Sequence, residues 1–373
     1  MKNILIYFPY NLRTVEQQSV MEALHKRGYN VILYTSCKKG TLHTIAENLG
    51  IIALASEKEY NNTFKNIWHN LFQLKQIIRK YNIDFIIAHQ QVPALTVGIL
   101  NIFKKIRFAY VRHNSDEDYQ NFQIKAKLLN KITNSLTPIK IAPSILVKEF
   151  WHKKEGVKEN NITIINYGYN FNQYEQPDSK NVTRIKDKYA TSLLILSMAR
   201  FVPQKQHSKM FAVIEQLMKK GIDCKLICLG SGYLEEGLQQ YITKHDLQNN
   251  IFLVGRKDNI FDYIAAADIF LHLSNSEASN SAVKEVALYN KPVIVCKEVG
   301  DFEDYIIDRK NGFLVSLQNA VNESVAIIED INNKIIDVNS LGKRFNFAVT
   351  TIFNIDNVIE QYEAIIHASP NKK

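Results

Sequence analysis

The chain has 373 residues, 46% hydrophobic and 22% charged, an ordinary composition for a globular protein with room for two or three domains. No apolar run reaches the ~18 residues of a membrane span. The net charge of +9 is uneven: residues 1–178 hold 23 Lys/Arg against 14 Asp/Glu, and residues 179–373 hold 23 of each. The excess in the first half points to an anionic partner there: a membrane surface, a phosphorylated substrate or a nucleic acid.

The start, MKNILIYFPYNL, lacks the long apolar region and small-residue cleavage site of a signal peptide, and reads as a buried first strand. Strand-like runs rich in Val, Ile and Tyr follow in order: NILIYF, NVILYT, IIALA, DFIIAH, RFAYVRH, IKIAP and ITIINYG. Helical patterns separate them, as in TVEQQSVMEALHKRG, with Val20 and Leu24 on one face and Gly28 closing the segment. Strands apolar throughout and separated by helices predict a parallel sheet covered on both faces. Near 170–190 the pattern weakens. YNFNQYEQPDSKNVT is polar, holds a proline and has neither period, so it reads as an interdomain linker.

The alternation then restarts with SLLILSMAR, CKLICLG, NIFLVG, DIFLHLS, KPVIVC and NGFLVS, which predicts a second doubly wound domain. A last helix is expected from about Ile355 to His367, after a break near Asn354. The expected architecture is α/β, with two Rossmann-like doubly wound domains, 1–174 and 175–354, facing a central cleft. The helix over 355–369 packs back on the first domain. Open parallel sheets bind ligands at the carboxyl ends of their strands. Cys37, Cys224, Cys228 and Cys296 show no paired spacing and no histidine cluster, so free thiols of a reducing cytoplasm are expected rather than a zinc site.

The segment SNSEASNSAVKEVALYNKPVIVC holds Glu277 and Glu285 eight positions apart. Glu277 falls on a strand-to-helix loop. Asn280 or Ser281 is a good N-cap, which puts Glu285 one turn into the helix. The amides of Ser279 to Val283 then form an anion site at the helix start. Carboxylates beside a phosphate repel it unless they bind something neutral, and sugar or ribose hydroxyls suit that pairing. A capped helix with two solvated glutamates fits the same residues. In SMARFVPQKQH, Arg200 and Lys205 follow a buried strand and suit a diphosphate, or are ordinary surface charge. GSG at 230–232 reads as a turn. NIFKKIRF and KAKLLNKIT mix basic and apolar residues; they fit anionic lipid headgroups, at roughly 1 kcal/mol per basic residue, or a solvated helix face.

In combination these segments resemble the retaining family 4 glycosyltransferases of the GT-B fold. SEASNSAVKEVALYNKPVIV is similar to the family's pair of glutamates followed by G-x-P-V-I, and ARFVPQKQ to its G-R-x-x-x-x-K segment. LICLGSGYLEEGL, NIFLVGRKDNIFDYIAAADIFLHLS and ITIINYGYNFNQY resemble the pieces around them. The match is strong over about 160–315 and weak before it. The resemblance implies that Arg200 and Lys205 neutralise a donor diphosphate, Glu277 contacts the transferred sugar and Glu285 the nucleotide ribose. It also implies that amides near Ala278, Ser279, Asn280, Ser281 and Ala282 bind phosphate, and that Gly255 and Arg256 flank the base. His113, in YVRHNSDED, would lie near the donor sugar.

The chain departs from the family pattern in three places. The usual Gly-Gly turn after the first strand is missing, which leaves Asn11 and Arg13 to contact the acceptor by side chain. EASN replaces EGFG. Asn290 and Lys291 replace the glycine before Pro292, a position where asparagine tolerates a left-handed cap. The expected activity is metal-free hexosyl transfer with retention from a nucleotide-diphosphate-sugar, a UDP-sugar foremost. The expected acceptor is a lipid-linked saccharide of bacterial surface polysaccharide, such as lipopolysaccharide or capsule. The expected location is the cytoplasm, with peripheral contact at the inner face of the plasma membrane and no nucleic-acid partner. The alternatives are a GT-B epimerase or phosphorylase, and a sugar-nucleotide-binding protein without transfer activity. A hydrolase with paired carboxylates leaves the cations and the helix-end site unexplained.

Overall fold

The computed structural model describes residues 1–12, 14–60, 62–113, 123–277 and 279–368. The chain divides into two units. Unit 1 is Met1–Phe171 with Phe353–Lys373, and unit 2 is Asn172–Ile352. The crossing points lie a few residues earlier than the 174/175 and 354/355 boundaries read from sequence.

Unit 1 runs β1 (Asn3–Phe8), α1 (Val15–Lys26), β2 (Asn30–Thr35), α2 (Thr41–Asn48), β3 (Ile52–Ala55), α3 (Thr63–Lys80), β4 (Phe85–His89), α4 (Gln91–Lys104), β5 (Arg107–Val111), α5 (Gln123–Leu136), β6 (Ile139–Ala142), α6 (Ile145–Glu155) and β7 (Ile162–Ile164). The strands form one parallel sheet in the order β3-β2-β1-β4-β5-β6-β7. Apolar residues point to both faces of β1: Ile4, Ile6 and Phe8 enter one core, Leu5 and Tyr7 the other. That two-sided burial is why the strands read as continuous apolar runs. Gly28, at φ +86, ends α1 as expected.

Unit 2 runs α7 (Ser179–Lys188), β8 (Leu193–Met198), α8 (His207–Lys219), β9 (Cys224–Leu229), α9 (Glu235–Lys244), β10 (Ile251–Gly255), α10 (Ile260–Ala266), β11 (Ile269–His272), α11 (Ser281–Ala287), β12 (Val293–Cys296), α12 (Phe302–Tyr305), β13 (Phe313–Val315), α13 (Ala320–Asn332) and α14 (Val338–Ile352). Its parallel sheet has the order β10-β9-β8-β11-β12-β13.

The segment read as a linker needs a correction, because α7 begins inside it. The Asp178 carboxylate caps α7 by accepting from the amides of Lys180 and Asn181. Only Ile185 of this helix is buried, so it carried almost no apolar period.

The final helix, α15 (Ile355–His367), belongs to unit 1. Val358, Ile359, Tyr362 and Ile366 join the core that contains α1, each contributing about 1.5–3 kcal/mol through burial. Lys2 and Arg107 donate to its last carbonyls, at 2.8 Å on Ile366 from Lys2 and 2.8 Å on Ile365 from Arg107. Cations there also complement the helix dipole. Where the chain leaves unit 1 and returns, Tyr169 N–H donates to the Phe353 carbonyl (2.8 Å) and Ile355 N–H to Tyr169 (3.1 Å).

Candidate active site

In unit 2 the strand order reverses between β8 and β11, since β8 is followed in sequence by β9 on one side while β11 and β12 extend the other. Such a reversal opens a crevice at the carboxyl ends of the strands. Arg200 and Lys205 lie on the loop after β8, and Glu277 on the loop after β11. The fold therefore brings together residues 72 positions apart. The two loops are tied directly: the Gln204 carbonyl accepts from the Asn275 amide (2.9 Å) and the Ser274 hydroxyl (3.0 Å).

Glu277 is the hub. Its Oε1 accepts from Lys205 Nζ at 2.5 Å, His272 Nε2 at 2.7 Å and Asn280 Nδ2 at 3.0 Å. All three bonds fall on Oε1, so Oε2 carries none of them. His272 Nε2 faces the carboxylate and also lies 3.0 Å from Asn280 Nδ2, while its Nδ1 is buried without a hydrogen-bond partner. Asn280 is oriented by its own oxygen, which accepts from the Val283 amide at 3.0 Å. Burial pushes the Glu277 carboxyl pKa up. The His272 hydrogen bond and the charges of His272 and Lys205 outweigh it, and the net shift is well below the usual carboxylate range.

Gly300, at φ +59, packs directly on this hub; a Cβ there would lie 2.8 Å from Glu277 Cβ. The loop after β12 can approach only because residue 300 is glycine. Behind it, Lys284 Nζ bonds Asp301 Oδ2 (2.7 Å), Ser279 Oγ (2.9 Å) and the Asn280 carbonyl (3.1 Å). Its ammonium also lies 5.1 Å from the Tyr305 ring centre. Sequence reasoning missed Lys284, Asp301 and His272. The available signal was a lysine on the apolar side of AVKEVALYN, between positions that are buried.

Several expectations are sharpened or corrected here. Asn280 is the N-cap of α11, and Asn290 takes the left-handed conformation at φ +54. The Val283 amide is not available to an anion, because the Asn280 side chain takes it. The Ser279 hydroxyl turns inward to Asp301 at 2.5 Å, which leaves only its backbone for phosphate. Ser281 and Ala282 open α11 and are half-buried. Lys205 is engaged by Glu277 rather than standing clear for a diphosphate, whereas Arg200 is exposed. Glu285 is half-buried one turn into α11. Ala278 lies outside the described residues.

The GSG turn proves structural in a specific way. A Cβ at Gly230 would meet the Ala199 carbonyl at 1.9 Å, and one at Gly232 the Phe201 carbonyl at 2.4 Å. The turn thus clamps the backbone on both sides of Arg200. Ser231 Oγ accepts from Arg256 Nε at 3.0 Å, and Gly255 accepts from the Gly230 amide at 3.0 Å.

In unit 1 the reversal falls between β1 and β4. His113 Nε2 lies 2.8 Å from His89 Nδ1, and its Nδ1 bonds the Tyr167 hydroxyl. Burial lowers the His113 pKa to about 4, and that of His89 well below its ordinary value, with the charge of His113 a second cause. Both rings are therefore neutral near pH 7, and the Tyr167–His113–His89 hydrogen bonds can run in either tautomeric sense. His113 also lines a pocket with Pro9, Gln90, Tyr110 and Arg112. Gln90 holds φ +68 and ψ 172 there, a backbone state that is nearly exclusive to glycine.

Asn11, expected to contact the acceptor, donates to the Lys38 carbonyl at 2.8 Å. The close glycine approach falls at Gly40, whose Cβ would lie 2.7 Å from Asn11 Cγ. Arg13 lies outside the described residues. Arg112, which the sequence reading left without a role, forms a buried ion pair with Glu155 at 2.6 Å. All four cysteines are free thiols.

Two parallel Rossmann-like domains, one with a carboxylate and cations at its strand reversal, define a glycosyltransferase of the GT-B type. The chain matches the family model Glycosyl transferases group 1 over residues 178–344 and Glycosyltransferase Family 4 over residues 18–173. It belongs to the family 4 GT-B glycosyltransferases and is a transferase enzyme. It is 26% identical over 364 residues to an uncharacterized glycosyltransferase of Methanocaldococcus jannaschii, spanning 85% of this chain and 88% of that protein. It is 24% identical over 255 residues to the alpha-monoglucosyldiacylglycerol synthase of Acholeplasma laidlawii, spanning 63% and 64%. The solved structure of Anabaena HepE in complex with UDP and glucose superposes with TM-score 0.81 at 17% identity, over 99% of this chain and all of that one. At that identity the likeness is one of fold.

Proposed function

We propose that the protein transfers a hexose from a UDP-sugar to an acceptor hydroxyl with retention of configuration. The observation that carries this reading is the Glu277 hub, a carboxylate held anionic by Lys205 and His272 at the strand reversal of unit 2. Oε2 of Glu277 accepts from a hydroxyl of the transferred sugar. Lys205 and Arg200 face the diphosphate, and Lys205 moves from Glu277 toward the leaving phosphate as negative charge builds. Backbone amides at 279–282 take phosphate oxygens, Glu285 the ribose hydroxyls, and Gly255 with Arg256 the base. His113, neutral and buried, exchanges its bond to the Tyr167 hydroxyl for one to a hydroxyl of the sugar. No covalent nucleophile is assigned; the leaving phosphate assists deprotonation of the acceptor.

The acceptor is a lipid-linked saccharide of surface-polysaccharide assembly, met at the inner face of the membrane by the basic first unit. The +9 excess in residues 1–178 supports this, as does the glycolipid named in the Acholeplasma relative. No helix among the described residues is long and apolar enough to cross a membrane, so this contact is peripheral. The test is product analysis with a labelled UDP-sugar and a panel of saccharide acceptors. A new glycoside and UDP support transfer. An epimerised sugar-nucleotide, a sugar phosphate, or binding without turnover each sinks it.

A further inference from the structure

The helices on one face of the unit 1 sheet carry an unusual surface. α4 lies between α3 and α5. Together these three helices contain eight Lys/Arg and no Asp or Glu. The layer on the other face, α1, α2 and α15, carries six Asp/Glu and one Lys. α6 packs on the same face as α3 and α4 and adds Lys148, Lys153 and Lys154 against Glu149 and Glu155, so that layer is net basic and the other net acidic.

The acid-free surface of α3, α4 and α5 is also apolar where solvent meets it. Phe64, Trp68 and Phe72 of α3 are 71%, 64% and 64% exposed. Their spacing of four places them in one row along the helix, while Ile67, Leu74 and Ile77 fill the core on its inner side. At the end of α4, Ile102 and Phe103 are exposed beside Lys104 and Lys105, and Leu128 is exposed on α5. Scattered exposed apolar residues are ordinary; three aromatics in a row on an acid-free face are not.

We infer that this face, formed by α3, the end of α4 and α5, seats the protein on an anionic bilayer, with Phe64, Trp68 and Phe72 entering the headgroup region. This inference rests on the membrane contact proposed above and assigns its surface. Aromatic rings are suited to the boundary between headgroups and acyl chains. Lys75 and Arg79 lie on the next turns of the same row, where their stems cover apolar surface and their charges reach lipid phosphates. Charge selects this occupant over a second copy of the chain. A two-fold contact would place the acid-free face against itself, with like charges opposed.

The chain reports on its own docking, because Trp68 and Trp151 are its only tryptophans and Trp151 is fully buried. The experiment titrates the full-length protein with vesicles of phosphatidylethanolamine and phosphatidylglycerol that contain no saccharide acceptor. The expected result is a blue shift of tryptophan emission and quenching by brominated acyl chains. Trp68→Phe should keep binding and lose the shift. Phe64→Ser with Phe72→Ser should lower vesicle partitioning tenfold or more with an unchanged circular dichroism spectrum. Lys75→Glu with Arg79→Glu should remove the preference for phosphatidylglycerol. Unshifted emission, equal binding to pure phosphatidylcholine, undiminished binding of the aromatic variant, or a dimer indifferent to vesicles would each overturn the inference. Transfer is scored separately in detergent. Lost vesicle binding with transfer intact removes the docking face alone, and bound protein without transfer removes the functional reading alone.

Discussion

Lys284 Nζ and Asp301 Oδ2 lie 2.7 Å apart, with side chains 1% and 0% exposed. The pair joins α11 to the loop after β12, two segments that both press on the Glu277 hub. Removing one partner leaves an uncompensated buried charge. Lys284→Met should therefore cost about 3–5 kcal/mol, read from urea unfolding. Lys284→Met with Asp301→Asn should recover much of that loss. A single variant as stable as the parent would show that the pair holds nothing.

Donor recognition depends on Glu285. Glu285→Ala should weaken UDP-sugar binding on the order of ten- to a hundredfold, the size of a hydrogen bond to a charged group. Isothermal titration calorimetry checks it, and unchanged affinity would remove the ribose assignment.

Gln90 pays in backbone strain for a place beside His113 and Arg112. Gln90→Gly relieves a conformation that costs about 1–3 kcal/mol, against about 0.5–1 kcal/mol for glycine's greater freedom in the unfolded chain. The variant should be slightly more stable and should turn over more slowly. A variant with full turnover would mean that the strained side chain serves only the fold.

Acid should destabilise unit 2 through His207, which is buried and has no hydrogen-bond partner on either ring nitrogen. Burial first, then the charges of His272 and Lys205, lower its pKa to about 4. The unfolded value is near 6.5. Between those values the unfolded chain binds a proton that the folded chain refuses, so stability falls as pH falls. A gap of that size is worth about 3 kcal/mol, complete once pH drops below about 4. His207→Phe, which keeps a ring against Phe201, should lose less stability between pH 7 and pH 4.5 in urea unfolding. Equal losses in parent and variant would contradict the assignment.

Most strands were legible because they are apolar on both faces, a pattern that survives without any knowledge of neighbours. NILIYF and NVILYT correspond residue for residue to β1 and β2. Asn280, Asn290 and Asn354 were legible as cap or break positions for a local reason, their short side chains and tolerance of unusual backbone. α7 was not, because a helix that buries one residue has no period to read. The hub was half legible. Glu277 and Lys205 were named, but their contact depends on the reversal of strand order at β8 and β11. The partners His272, Lys284 and Asp301 are ordinary letters in strand, helix and loop until the fold closes around them. The aromatic row of α3 was also missed, since TFKNIWHNLFQLKQIIRK reads equally well with those rings inside.

The central claim is retaining transfer from a UDP-sugar centred on Glu277. The most direct measurement is the anomeric configuration, by NMR, of the glycoside formed from a labelled UDP-α-hexose. The predicted result is an α-linked product with stoichiometric UDP, lost in Glu277→Gln and in Lys205→Ala while both variants remain folded. A β-linked product, free hexose alone, or full activity in Glu277→Gln would contradict it.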